Sequence, residues 1–123
     1  MIQLKRAYDA PTAGDGRRIL VERLWPRGVK KTDLPLDAWM KEVAPSTELR
    51  QWFSHEVARW PEFQKRYEAE LRAHATAVKP LLEAAAAKGT LTLIYSSHDE
   101  EHNNAVVLKH YLEAKLKRKA HAA

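Results

Sequence analysis

Leu91-Thr92-Leu93-Ile94-Tyr95 is the stretch whose reading decides the fold. A short run of aliphatic, β-branched and aromatic residues suits a strand covered on both faces. Before it, Leu81, Leu82, Ala85 and Ala86 recur at helical spacing, and Gly89 ends that helix. After it come the exit loop Ser96-Ser97-His98-Asp99 and a final helix from Glu100 to about Lys119, carrying Val107, Leu108, Tyr111, Leu112 and Leu116. A helix, a buried strand and a second helix form the unit from which α/β layers are built. The expected fold is therefore α/β: a small, mainly parallel sheet flanked by helices in three Rossmann-like layers, with a helical insertion between strands.

Outward from this unit, Ile2 to Ala7 alternates loosely and reads as a first strand. Asp9 to Gly16 is dense in turn formers, and Arg18 to Leu24 reads as a second strand. The connection of about ten residues would close a hairpin easily, whereas a parallel return is tight. The direction of the first strand stays open at this point. Leu36, Trp39, Met40 and Val43 fall at i, i+3, i+4 and i+7, which predicts a short amphipathic helix broken by Ala44-Pro45. Ser46 caps the next helix through Leu49, Trp52 and Phe53. Pro61 suits a first helical turn, with Trp60, Phe63, Tyr67 and Leu71 as its stripe.

At 123 residues, with 45% hydrophobic side chains, the chain reads as one domain, residues 1–123, with a basic helical tail from about 113. No apolar run approaches the ~20 residues of a membrane helix, so no membrane partner is expected. The N-terminus lacks the apolar middle of a signal peptide, and a cytoplasmic location is expected. The absence of cysteine excludes disulfides, thiolate nucleophiles and cysteine-ligated zinc. The net charge of +5 is uneven: residues 1–31 hold eight Lys or Arg against three acids, and residues 109–123 hold five against one. Clustered cations suit nucleic acid. On the tail they read more simply as a solvated helix end, where cations suit the negative end of the helix dipole.

Ligands of open α/β sheets bind beyond the carboxyl ends of strands. Two such ends are polar here. Arg23-Leu24-Trp25-Pro26-Arg27-Gly28 would place two guanidiniums beside an indole at the end of the second strand. Arg23 and Arg27 would grip a phosphate or carboxylate, Trp25 would stack, and Gly28 would let the backbone turn. Arg6 joins them if the first strand runs alongside the second. The competing reading makes Trp25 a core residue and pairs the arginines with acids such as Asp99 or Glu22. The second polar end holds Ser96, His98, Asp99, His102 and Asn103. His98 and Asp99 are the candidate catalytic residues, although Asp99 also suits the cap of the last helix. Ser46 reads as a helix cap or, with Arg50 near, as a phosphate-binding helix start.

His98-Asp99-Glu100-Glu101-His102 superficially matches a two-histidine metalloprotease pattern. Its acid is Asp rather than Glu, and His98 precedes the helix, so no metal is assigned. No Walker loop, dinucleotide glycine motif or Gly-x-Ser-x-Gly elbow occurs, and no cofactor is assigned.

Several motifs carry a family resemblance: Lys5-Arg6 with Tyr8; Arg23-Leu24-Trp25-Pro26-Arg27-Gly28; Trp39 with Ala44-Pro45-Ser46, Leu49-Arg50 and Trp52-Phe53; and Leu93-Ile94-Tyr95, Asp99, Asn103, Ala105 and Leu108. From residue 2 to about 112 the chain resembles the short, single-domain branch of domain-of-unknown-function family 488. The resemblance implies a small α/β fold and leaves function undetermined. Longer relatives carry a cysteine-containing motif after the last strand, where this chain has Ser96-Ser97-His98, so thiol chemistry does not carry over.

The function expected first is binding of a small anionic ligand, bearing phosphate or carboxylate, in a cleft where the two polar ends meet. Catalysis on such a ligand is left open. The second reading is a nucleic-acid-binding or regulatory module using the basic N-terminal and C-terminal segments.

Overall fold

The computed structural model describes residues 1–122, with side chains through Ala120. Four strands form one sheet: β1 (Ile2–Arg6), β2 (Arg17–Leu20), β3 (Ala38–Trp39) and β4 (Leu91–Tyr95). Their spatial order is β1-β4-β2-β3, and every pairing is parallel. Leu93 of β4 stands between Leu4 of β1 and Ile19 of β2. The last strand in sequence is thus an inner strand of the sheet, and all five of its residues are buried. The first strand is parallel to the second without touching it.

Alternation along the strands splits the interior into two cores. On one face Ile19, Val21, Leu91, Leu93 and Tyr95 meet α1 (Thr47–Phe53), α2 (Trp60–Ala73), α3 (Ala75–Ala86) and α4 (Asn104–Ala122). On the other, Leu20 and Ile94 meet Ala7 and Leu34, with Trp25, Val29, Leu36 and Trp39 packed against them. That third layer is built from irregular chain and short 3₁₀ turns. Each fully buried Leu or Ile contributes about 1.5–3 kcal/mol of apolar burial.

Residues 7–16 cross the second face without an α-helix, with one 3₁₀ turn at Ala13–Asp15. Two contacts make so short a return feasible. The Thr92 hydroxyl donates to the Asp15 carbonyl at 2.6 Å, and the Arg17 N–H donates to the Thr90 carbonyl at 3.0 Å. Gly16 sits between them at φ +61°, where a Cβ would lie 2.1 Å from the Thr90 carbonyl oxygen. No side chain fits there.

Three expectations are corrected. Residues 36–43 form β3 and a 3₁₀ turn at Lys41–Val43 rather than a helix. The Asp37 and Met40 N–H groups donate to the Arg18 and Leu20 carbonyls, so pairing along an open edge of β2 overrides a four-residue periodicity. The second strand ends at Leu20 rather than Leu24, because the chain turns away after the Val21 N–H donates to the Ile94 carbonyl. The last helix begins at Asn104 rather than Glu100. Asn103 receives the Val106 N–H on Oδ1 at 3.1 Å, and Asp99 folds a separate turn upstream. The Ser46 cap is present, its hydroxyl oxygen accepting from the Leu49 N–H at 3.1 Å. The helical insertion lies between β3 and β4, as α1, α2 and α3.

Candidate functional site

Parallel pairing of β2 and β4 brings Glu22 beside Ser96 at the carboxyl edge. The Ser96 N–H donates to Glu22 Oε1 at 3.2 Å, and Asn104 Nδ2 donates to the Val21 carbonyl at 2.7 Å. A cleft of about 480 Å³ opens there, between the loop 96–103, Glu22, and the C-terminal half of α1. Ser96, His98, Asp99, His102 and Asn103 all line it, so the second polar end converges as the sequence suggests. Arg50 and Phe53 of α1, with His55 after it, form the facing wall. Ser54 and His55 both have positive φ, 45° and 59°. Two successive non-glycine residues in the left-handed region are a locally costly backbone beside the opening.

The exit loop is held by its own groups. Asp99 accepts the Glu101 N–H at 2.9 Å, the His102 N–H at 3.0 Å and His102 Nδ1 at 2.9 Å. The Glu101 N–H, followed by the His102 N–H and imidazole, holds the Asp99 carboxyl below its ordinary pKa despite some desolvation. An ionised Asp99 fixes the His102 tautomer with its proton on Nδ1, leaving Nε2 as the available ring atom. Behind the loop, Arg6 at the end of β1 donates from Nε to the Ser97 carbonyl at 2.8 Å and from Nη2 to His98 Nδ1 at 3.1 Å. A guanidinium only donates, so His98 carries its neutral-state proton on Nε2. Asn103 is buried and ties Nδ2 to the Asp99 carbonyl at 2.9 Å.

Glu22 is the titratable group the sequence reading left without a role of its own. Burial raises its carboxyl from 4.5 to about 7, outweighing the Ser96 N–H and the Arg50 charge that favour the anion. A lone acid after Ile19-Leu20-Val21 was the available signal, since an acid continuing an apolar strand end needs a partner or a purpose. His55 gave no signal, because its place depends on how α1 ends.

The first polar end does not meet this cleft. Arg23 donates from Nε to the Pro45 carbonyl at 2.7 Å and from Nη2 to the Ala44 carbonyl at 3.4 Å. Trp25 donates from Nε1 to the Val29 carbonyl at 2.6 Å and packs edge-on to Trp39, ring centres 5.4 Å apart, within the second core. Arg27 is exposed, and Gly28 at φ +77° has open space about it. Ser46, besides capping α1, donates from its hydroxyl to Glu70 at 2.5 Å. The early end of β2 explains this, since residues 23–28 form a loop off the sheet. Among the described residues, no group of three or more His, Asp or Glu is placed to hold a metal ion. No helix there is long and apolar enough to cross a membrane.

A parallel four-stranded sheet with its polar cleft at the carboxyl edge defines a small α/β domain of the open-sheet class. The chain belongs to the DUF488 family: the family model described as "Inactive DUF488-N3 subclade" matches residues 1–123. It is 50% identical over 113 residues to "Uncharacterized protein YeaO" of Escherichia coli strain K12, covering 92% of this chain and 97% of that protein. It is 34% identical over 114 residues to "Uncharacterized protein Rv3073c" of Mycobacterium tuberculosis strain H37Rv, covering 93% and 95%. "Uncharacterized protein Mb3100c" of Mycobacterium bovis is similar to the same degree, 34% over 114 residues. No solved structure matches the chain at a significant level.

Proposed function

We propose that this chain binds a small phosphate- or carboxylate-bearing molecule in the cleft at the carboxyl edge, and does so without thiol chemistry. The observation that carries the reading is that Arg50 and the imidazoles of His55, His98 and His102 open on one cleft whose two acids are Asp99, held by its own turn, and Glu22, its carboxyl raised to about 7. Asp99 is satisfied by its own turn and by His102. Glu22, with its carboxyl raised to about 7, is close to half protonated at neutral pH and repels an anion less than an ordinary glutamate. Arg50 supplies a permanent charge, and His98, whose Nδ1 accepts from Arg6, offers its Nε2–H as a donor in the same cleft. Arg6 holds the loop from behind, and Asp99 orients His102. The word "Inactive" in the matching family description, and the serines standing after β4, fit a domain that binds its ligand.

Thermal unfolding with inorganic phosphate, pyrophosphate and malonate tests this. A ligand at a hundred times its Kd stabilises by about 2.7 kcal/mol, a shift of several degrees in Tm. Arg50→Gln should abolish the shift, and Arg23→Gln should retain it. No shift with any of the three anions, or a shift that survives Arg50→Gln, refutes the assignment.

A further inference from the structure

A second feature lies on the far half of α4 and is independent of the cleft. Between α2 and α4 runs a groove of about 300 Å³ lined by Glu68, Arg72, His110, Tyr111, Lys115 and Arg118. On the other side of α4, a groove of about 360 Å³ against α3 carries Lys79 and Lys119 beside Glu83. Five permanent cations from three helices thus flank one helix, against two carboxylates. Among the described residues, none of these five makes an ion pair within 4.0 Å. The Lys115 ammonium lies 5.5 Å over the half-buried Tyr111 ring.

We propose that the two grooves flanking the C-terminal half of α4 form a binding surface for single-stranded nucleic acid. Grooves on opposite sides of a helix about 10 Å across are too widely spaced for one phosphate group, and they call for a polyanion. The helix dipole favours the cations of the last turns of α4, but it does not account for Lys79 in the middle of α3. The large apolar residues that stand exposed, Met1, Tyr8, Leu24 and Val57, lie elsewhere, and Leu82 and Leu116 of the second groove are packed against the core, so this face offers no wedge for a bilayer. An aromatic ring in a cationic groove provides the stacking platform and phosphate contacts that unpaired strands use. Four of the eight cations in residues 1–31 are already held by other groups. Lys5 and Arg18 pair with Asp15, Arg6 holds the exit loop, and Arg23 is bound to carbonyls.

The test is fluorescence anisotropy of the full chain with labelled single-stranded and duplex oligonucleotides of the same length, at two salt concentrations. Three phosphate contacts to a single strand give about a twenty-fold loss of affinity between 50 and 200 mM salt. The triple variant Arg72→Gln, Lys115→Gln, Arg118→Gln should weaken binding at least about ten-fold, with circular dichroism confirming the fold. The variant Arg17→Gln, Lys30→Gln, Lys31→Gln removes the same charge from exposed positions elsewhere and should change affinity less than two-fold. Equal weakening by both variants overturns the proposal. So do absence of binding at low salt, preference for the duplex, and stronger association with phosphatidylserine vesicles than with the oligonucleotide.

Discussion

Two acidic side chains at opposite ends of the same parallel sheet have contrasting fates. Asp15, at the amino edge, is 1% exposed. It receives Lys5 Nζ at 3.0 Å, Arg18 Nη1 at 2.5 Å, the Thr12 N–H at 3.0 Å and hydroxyl at 2.8 Å, and Gln3 Nε2 at 3.2 Å. Burial pushes its carboxyl up, but the Thr12 backbone N–H and the Lys5, Thr12 and Arg18 side chains together hold it far below the ordinary range. Glu22, at the carboxyl edge, is desolvated with fewer donors, and its carboxyl rises instead. Saturated with partners, a buried carboxylate is part of the framework. Short of partners and open to a cleft, it is chemically available.

The sharpest way to break this contrast is Asp15→Asn. It keeps the shape and removes the charge that Lys5 and Arg18 share, and should cost about 3–5 kcal/mol in urea denaturation. The folded carboxyl is depressed, so its contribution is present above the unfolded value of 3.8 and lost as pH falls below it. Acid unfolding of the native chain should therefore be steeper than that of the variant. Equal stability of the two proteins would show that the amino-edge cluster is not structural.

Glu22→Gln comes next, with the opposite sign. The folded carboxyl titrates near 7 and the unfolded one near 4.5, so the folded state binds the proton more tightly. Its contribution is full below 4.5 and is lost as pH rises through 7. Glutamine should stabilise the protein at pH 8 by up to about 3 kcal/mol, the gap closing towards pH 4.5. A gap independent of pH would place Glu22 in ordinary surroundings.

Arg23→Gln is the smallest of the three. Loss of a charged donor to the Pro45 and Ala44 carbonyls should cost about 2 kcal/mol. Anion-induced stabilisation should be unchanged, which places Arg23 with the framework. A variant of native stability that no longer responded to anions would return it to the site.

Much of this was legible in the sequence, and the exceptions have physical reasons. The run Leu91–Tyr95 announced the buried strand because an inner parallel strand cannot afford a polar face, and Ser46, Pro61 and Gly89 punctuated the helices by local chemistry. The exit-loop residues of the cleft followed from the position of β4. The strand at Ala38–Trp39 did not, because its two residues are specified by the edge of β2 rather than by their neighbours. Arg23 and Trp25 were misplaced for a related reason. Where β2 ends is decided by the turn after Val21, and an apolar run continuing to Leu24 conceals it. Arg50, His55 and Glu22 come from elements whose approach to one another is a matter of packing, which periodicity does not encode.

The placement of β4 between β1 and β2 has a consequence for biosynthesis. The strand that joins them is made late, so β1 leaves the ribosome with no partner and must wait while the three-helix insertion is translated. Early β pairing is confined to the local β2–β3 contact, and assembly of the whole sheet is a long-range event of high contact order. Nascent chains stopped short of Tyr95 should be protease-sensitive, with folding completed only after that residue has emerged.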